Sequence, residues 1–137
     1  MTDFALHPRL AADTFAVAEL SLSRVLLMND NRFPWLVLVP RLPEAREIID
    51  LAPANRLLLA EEIDLAAAAL RELYPLDKLN IGAIGNIVEQ LHVHIVARQK
   101  IDPAWPGVVW GFGTAIPYAT ADAQTRVARL QAVLSRQ

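Results

Sequence analysis

Apolar and polar positions follow two different periods along this chain, and the points where the period changes predict its elements. From Phe15 to Leu20, Ser23 to Met28 and Trp35 to Val39 the apolar side chains come in short runs, several of them β-branched, which is the composition of strands. Asn29-Asp30-Asn31-Arg32 separates the second run from the third and supplies turn chemistry, because Asn and Asp bond their own backbone and tolerate left-handed conformations. Trp35-Leu36-Val37-Leu38-Val39 is apolar at every position, predicting a strand in mid-sheet with both faces covered, stopped by Pro40. Ahead of these strands, residues 1–14 hold His7-Pro8 and about one helical turn at Leu10-Ala11-Ala12. His7 reads as a surface loop residue. After the charged loop Arg41 to Arg46, Ile48-Ile49 reads as a short edge strand.

At Pro53 the period becomes helical. Leu59, Ile63, Ala66, Leu70 and Leu73 fall on one stripe, opened by a proline at the first helical position and ended by Pro75. Glu61, Glu62, Asp64, Arg71 and Glu72 interrupt the apolar run, so the segment is an amphipathic helix and too charged to cross lipid. Leu79 to Ile84 alternates weakly and ends in a Gly85-Asn86 turn. The following strand, Gln90 to Val96, places Gln90, His92 and His94 on one face and Leu91, Val93 and Ile95 on the other. An irregular arm rich in Trp, Pro and Gly follows, through Trp105-Pro106-Gly107 and Trp110-Gly111-Phe112-Gly113. A helix from about Ala121 to Ser135 closes the chain, with Val127, Leu130 and Leu134 inward and Thr120 or Asp122 as its cap. Hairpins with one long helix and a C-terminal helix make an α+β domain on an antiparallel sheet; a parallel sheet would need helices between most strands. Residues 1–137 read as one domain, with a core at about 15–100 and the arm and helix at about 101–137.

Composition narrows the function. With 54% apolar and 20% charged residues the chain is a folding sequence, and a net charge of −2 provides no footprint for extended nucleic acid. The absence of cysteine excludes disulfides, thiolate metal clusters and a cysteine nucleophile, and leaves the cytoplasm as the default compartment. Residues 1–10 carry Asp3 and Pro8 and have neither a basic leader nor a continuous apolar segment, so no signal peptide is expected there, and no membrane partner.

Three readings of His92 and His94 compete. The pair is a half-buried polar strand face, or two ligands of a metal, or an imidazole nucleophile with a helper. A metal site wants a third protein ligand, and His7 is the one remaining histidine. A neutral imidazole can instead attack phosphorus and split one displacement into two easier ones, with backbone N–H groups of a glycine turn such as Gly85-Asn86 stabilising the developing charge.

The string from Gly85 to Val96 resembles the signature of the histidine triad (HIT) family of nucleotide hydrolases and transferases, in which three histidines alternate with apolar residues after a Gly-Gln-Ser/Thr-Val turn. The polar turn Asn29 to Arg32 with the strand that follows it resembles the family's nucleoside-binding hairpin, and the order of elements agrees over about residues 15–100. The resemblance implies His92 as nucleophile and His94 at the phosphate or leaving group. It also implies Asn80 at a phosphate, Asn29 or Asn31 at a ribose, and Asn86 and Trp105 near the substrate. A homodimer without a cofactor or metal is implied as well. The substrate would be a purine nucleotide derivative, a dinucleoside polyphosphate or a phosphoramidate, cleaved through a nucleotidyl-histidine intermediate.

Three positions depart from the pattern. Gln90 stands for the first histidine, Ile87 for a phosphate-binding Ser/Thr, and Trp35 for an additional histidine of many members. Glutamine can orient a neighbour but cannot shuttle a proton near neutral pH. The alternative reading is therefore a nucleotide-binding or regulatory module with little or no turnover.

Overall fold

Residues 3–136 are described by the computed structural model. A short helix α1 (Pro8–Asp13) leads into β1 (Thr14–Glu19), β2 (Ser23–Met28) and β3 (Trp35–Pro40). The long helix α2 (Pro53–Leu73) follows, then β4 (Lys78–Gly82), β5 (Val93–Arg98) and α3 (Thr120–Leu134). The strands form one five-stranded sheet in the order β1-β2-β3-β5-β4, antiparallel at every junction. The all-apolar β3 lies at its centre and is buried along its whole length, as a strand without a polar face must be.

The two faces are covered by different means. Under one face, Leu36, Leu38, Ile95 and Ala97 pack on Ala66 and Leu70 of α2 and on Leu130 and Val133 of α3. Over the other, Leu26, Trp35, Val37, Val39 and Val96 meet Leu10, Val88 and Val109, with Phe4, Leu6 and Trp110 at the margin. These covering residues come from α1, from the irregular segments before α1 and between β5 and α3, and from the loop before β5, so this face is roofed by loops that need polar fastenings.

Several local expectations change. Ile48-Ile49 is part of a 3-10 turn, Ile48–Asp50, in which the Glu47 and Asp50 side chains cap each other's backbone; Ile49 is exposed and pairs with no strand. The first helical residue of α3 is Thr120 and its N-cap is Ala119, which provides no side-chain cap; Asp122 lies in the first turn and pairs with Arg126 instead. The motif strand begins at Val93, so Gln90 to His92 precede it outside the ladder, with the Leu91 backbone N–H bonded to the carbonyl of Ala45.

Glu62 also departs from the simple amphipathic pattern. Its side chain is on the buried side of α2, 2% exposed, and its two carboxylate oxygens accept from the backbone N–H groups of Leu22 and Ser23 at 2.8 and 2.9 Å. A helix stripe read by hydropathy alone has no place for a carboxylate, but the β1–β2 turn presents two buried donors that need one. Glu62→Ala should strand both donors and lower the unfolding free energy by about 2–4 kcal/mol. Glu62→Gln, which keeps one acceptor, should cost less. Urea titrations of the two variants check this, and an Ala variant within about 0.5 kcal/mol of wild type would show that the carboxylate does not hold the turn.

Candidate functional site

β5 is paired on both sides, with β3 and β4, which fixes its pleat. Its roofed face carries His94, Val96 and Arg98 in turn, and His92 precedes the strand on the same side. The two imidazoles meet edge to face with centroids 4.9 Å apart, and each histidine is 6% exposed.

Their hydrogen bonds determine where their protons are. The Trp35 indole Nε1–H donates to His94 Nδ1 at 3.0 Å. An indole nitrogen can only donate, so His94 Nδ1 is the bare nitrogen and the ring carries its proton on Nε2. His92 Nδ1 lies 2.7 Å from the backbone oxygen of Gln90. A carbonyl can only accept, so His92 Nδ1 carries the proton and, in the neutral ring, Nε2 holds the lone pair. Burial, and secondarily the nearby His92, pulls the His94 pKa down from 6.5 to about 4, which keeps this ring neutral at physiological pH. The site thus holds one imidazole able to attack and one able to donate.

A cleft of about 390 Å³ opens onto the pair. Arg9, Leu10 and Asp13 of α1 form one wall, Met28 and Trp35 the floor, and residues 84–88 a rim. Trp110 closes it, its ring edge-on to His94 at 5.6 Å. Gly85 turns the rim with φ +64°, and a side chain there would be strained and would crowd the Val88 carbonyl at 3.3 Å. Among the described residues no backbone amide from Ala83 to Gln90 donates to another backbone carbonyl. A second, smaller cleft of about 220 Å³ meets the first at Ile84, Gly85 and His92, and is bordered by Arg46, Glu47 and Glu89.

The candidates named from sequence divide into four groups. His92, His94 and Asn86 lie on the large cleft. Asn80 and Trp105 instead meet at Arg98, a buried guanidinium that forks onto Asp102 at 2.7 and 3.0 Å, donates to Asn80 Oδ1 at 2.8 Å and lies over the rings of Phe33 and Trp105. The turn that carries Asn29 and Asn31 fastens the C-terminal arm: Asn29 Oδ1 accepts from the Tyr118 backbone N–H at 2.9 Å, and the backbone N–H of Asn31, not its side chain, donates to the Ile116 carbonyl at 2.7 Å. Beside them Arg32 forks onto buried Asp30 and reaches the Phe112 carbonyl at 2.7 Å. Burial alone would raise the Asp30 carboxyl, but the Arg32 bonds outweigh it and hold it below the usual carboxylate range. The Gln90 side chain turns away from the histidines to the N-terminal segment, and only its carbonyl serves His92.

Sequence reasoning missed Trp110 and the α1 wall. The arm signalled that a tryptophan covers something, but not which one. Among the described residues, no group of three or more His, Cys, Asp or Glu is arranged to hold a metal ion, and no helix is long and apolar enough to cross a membrane.

Comparison with known proteins supports the fold and the family. The HIT domain model matches residues 9–101. A histidine triad protein of Sinorhizobium meliloti is similar at 45% identity and TM-score 0.92, over 94% of this chain and 96% of its own. One from Bradyrhizobium japonicum is similar at 44% and 0.94, over 97% and 99%. One from Marinobacter aquaeolei is similar at 44% and 0.95, over 98% of each chain. No curated protein sequence matches the chain. With a family model covering most of its length and close structural relatives at more than 40% identity, the chain belongs to the histidine triad family.

Proposed function

We propose that this protein is a nucleotide-binding hydrolase that cleaves a nucleoside phosphoramidate through a nucleotidyl-His92 intermediate. The observation that carries the reading is the pair of opposite tautomers: His92 Nε2 offers a lone pair beside a neutral His94 whose remaining proton is on Nε2. The nucleoside occupies the large cleft, with its base between α1, Met28 and Trp110 and its phosphate at the rim of residues 85–88. His92 Nε2 attacks phosphorus, the N–P bond forms, and the bond to the leaving nitrogen breaks as that nitrogen takes a proton from solvent, while the neutral His94 donates a hydrogen bond from Nε2–H to the phosphoryl oxygen. Water then attacks the phosphorus, the His92–P bond breaks, the nucleoside monophosphate leaves and the water's proton passes to solvent, so that His92 Nε2 regains its lone pair and His94 is unchanged. Backbone N–H groups of the rim take over part of the missing Ser/Thr contact at Ile87.

The charge of the second cleft favours an amine over a polyphosphate as leaving group. Glu47 and Glu89 face a single cation there, Arg46, which itself lies 3.5 Å from Glu89. A polyphosphate would meet excess negative charge, and an amine would not. The family's homodimer remains part of this reading, as does a cytoplasmic location. The core, the arm and α3 work as one domain in this reading.

With a fluorogenic AMP phosphoramidate, His92→Ala should lower kcat by about 10³-fold or more while AMP still binds. Wild type should prefer that substrate to diadenosine polyphosphate. Turnover that survives the loss of His92 would sink the mechanism, and AMP binding without turnover in wild type would identify a binding module. Stability should respond to pH through His94 as well. Its folded pKa of about 4 lies below the ordinary 6.5, so between these values the unfolded chain binds more protons, and stability falls as pH drops from about 6.5 towards 4. The full effect is about 3 kcal/mol. His94→Asn, which keeps an acceptor for Trp35, should flatten this slope in urea titrations at pH 7 and pH 5; an unchanged slope would show that His94 is not held neutral.

A further inference from the structure

We infer that Gln90, in the place of the motif's first histidine, is a positioning residue whose side-chain amide clasps the N-terminal arm against the cleft. The inference builds on the reading of that cleft as the nucleotide site. Both ends of the amide are engaged: Oε1 accepts from the His7 backbone N–H at 2.8 Å, and Nε2 donates to the Ala5 carbonyl at 2.8 Å. These groups flank a single residue, Leu6, along one edge of the arm, so the side chain acts as one rung of a parallel ladder. Phe4 and Leu6 pack against the same apolar cluster as Trp35 and Val96. Immediately after His7 the arm becomes α1, which contributes Arg9, Leu10 and Asp13 to the cleft. Meanwhile the Gln90 carbonyl holds His92 Nδ1. One residue therefore joins a wall of the cleft to the orientation of the nucleophile.

The chemistry explains why an amide is used. An imidazole also has a donor and an acceptor, but they diverge on opposite sides of a ring and cannot meet two neighbouring groups on one strand edge. Near pH 6.5 it would also take a second proton and lose its acceptor. A carboxylate would keep the bond to His7 and set an oxygen against the Ala5 carbonyl. Restoring the family's histidine should accordingly loosen the arm without restoring any proton transfer.

The test uses full-length wild type, Gln90→His, Gln90→Glu and Gln90→Ala, with amide exchange at His7 followed by NMR and kinetics on the AMP phosphoramidate. His7 exchange should be slow in wild type and at least about 10-fold faster in the Gln90→His and Gln90→Ala variants. KM should rise by about 3- to 10-fold in these variants while kcat changes by less than about twofold. His7→Pro approaches the clasp from its other side: the native φ of −54° suits proline, and only the N–H and the side chain are lost. It should raise KM as Gln90→His does, with no further rise in the double variant. His7→Ala, which removes the side-chain cap of α1 but keeps the N–H, should retain slow exchange at residue 7. A higher kcat in Gln90→His, or unchanged His7 exchange in Gln90→Ala, would overturn the clasp. Should wild type neither bind nor turn over nucleotide, the functional reading falls by itself, and the exchange result alone decides the clasp.

Discussion

The site depends on one constraint: an indole N–H can donate a hydrogen bond but never accept one. Trp35 is locked in the middle of the sheet, 7% exposed, with its ring between Phe33 and His94. Its N–H forces His94 to offer a bare Nδ1, which sets the tautomer, and burial keeps that tautomer from taking a second proton. The proton left on Nε2 is then the one that can serve a ligand. His92 is constrained in the mirror sense by a backbone oxygen, which cannot donate. Two identical side chains two residues apart acquire different roles because their partners differ in hydrogen-bonding capacity.

That constraint holds only while the roofed face stays dry and rigid, and among the described residues no helix longer than α1 covers it. Polar fastenings do this work at three points. Arg98 clasps the segment after β5 through Asp102 and stacks between two rings. Arg32 and Asn29 hold the C-terminal arm to the β2–β3 turn. Gln90 holds the N-terminal arm. Each uses directional bonds with both partners present, the condition under which buried polar groups stabilise a structure instead of costing it. The same logic applies at Glu62 on the opposite face.

Much of this was legible from the residues. The unbroken apolar run of β3 required a central strand, the Leu59–Leu73 stripe required α2, and the alternation around His92 and His94 put both rings on one face. The family resemblance rested on that stretch and agrees with the matched domain over residues 9–101. What could not be read was the pairing of polar side chains across long separations. Asn80 is as suited to a phosphate as to a guanidinium, and only the fold brings Arg98 to it. Asn29 has the same ambiguity between a ribose and the Tyr118 amide. Trp105 and Trp110 are equivalent in a sequence, yet one lies on Arg98 and the other on His94. Ile48-Ile49 misled for a simpler reason: two β-branched residues suggest a strand, and the capping pair Glu47 and Asp50 makes a tight turn instead.

The two imidazoles keep a proton on opposite nitrogens, His92 on Nδ1 and His94 on Nε2. Long-range ¹H–¹⁵N correlation of the histidine rings at pH 7, with His92→Gln and His94→Asn used for assignment, measures this directly. The account requires an unprotonated Nε2 in His92 and an unprotonated Nδ1 in His94, each with its other nitrogen protonated. The same tautomer in both rings, or a His94 protonated on both nitrogens at that pH, would contradict it.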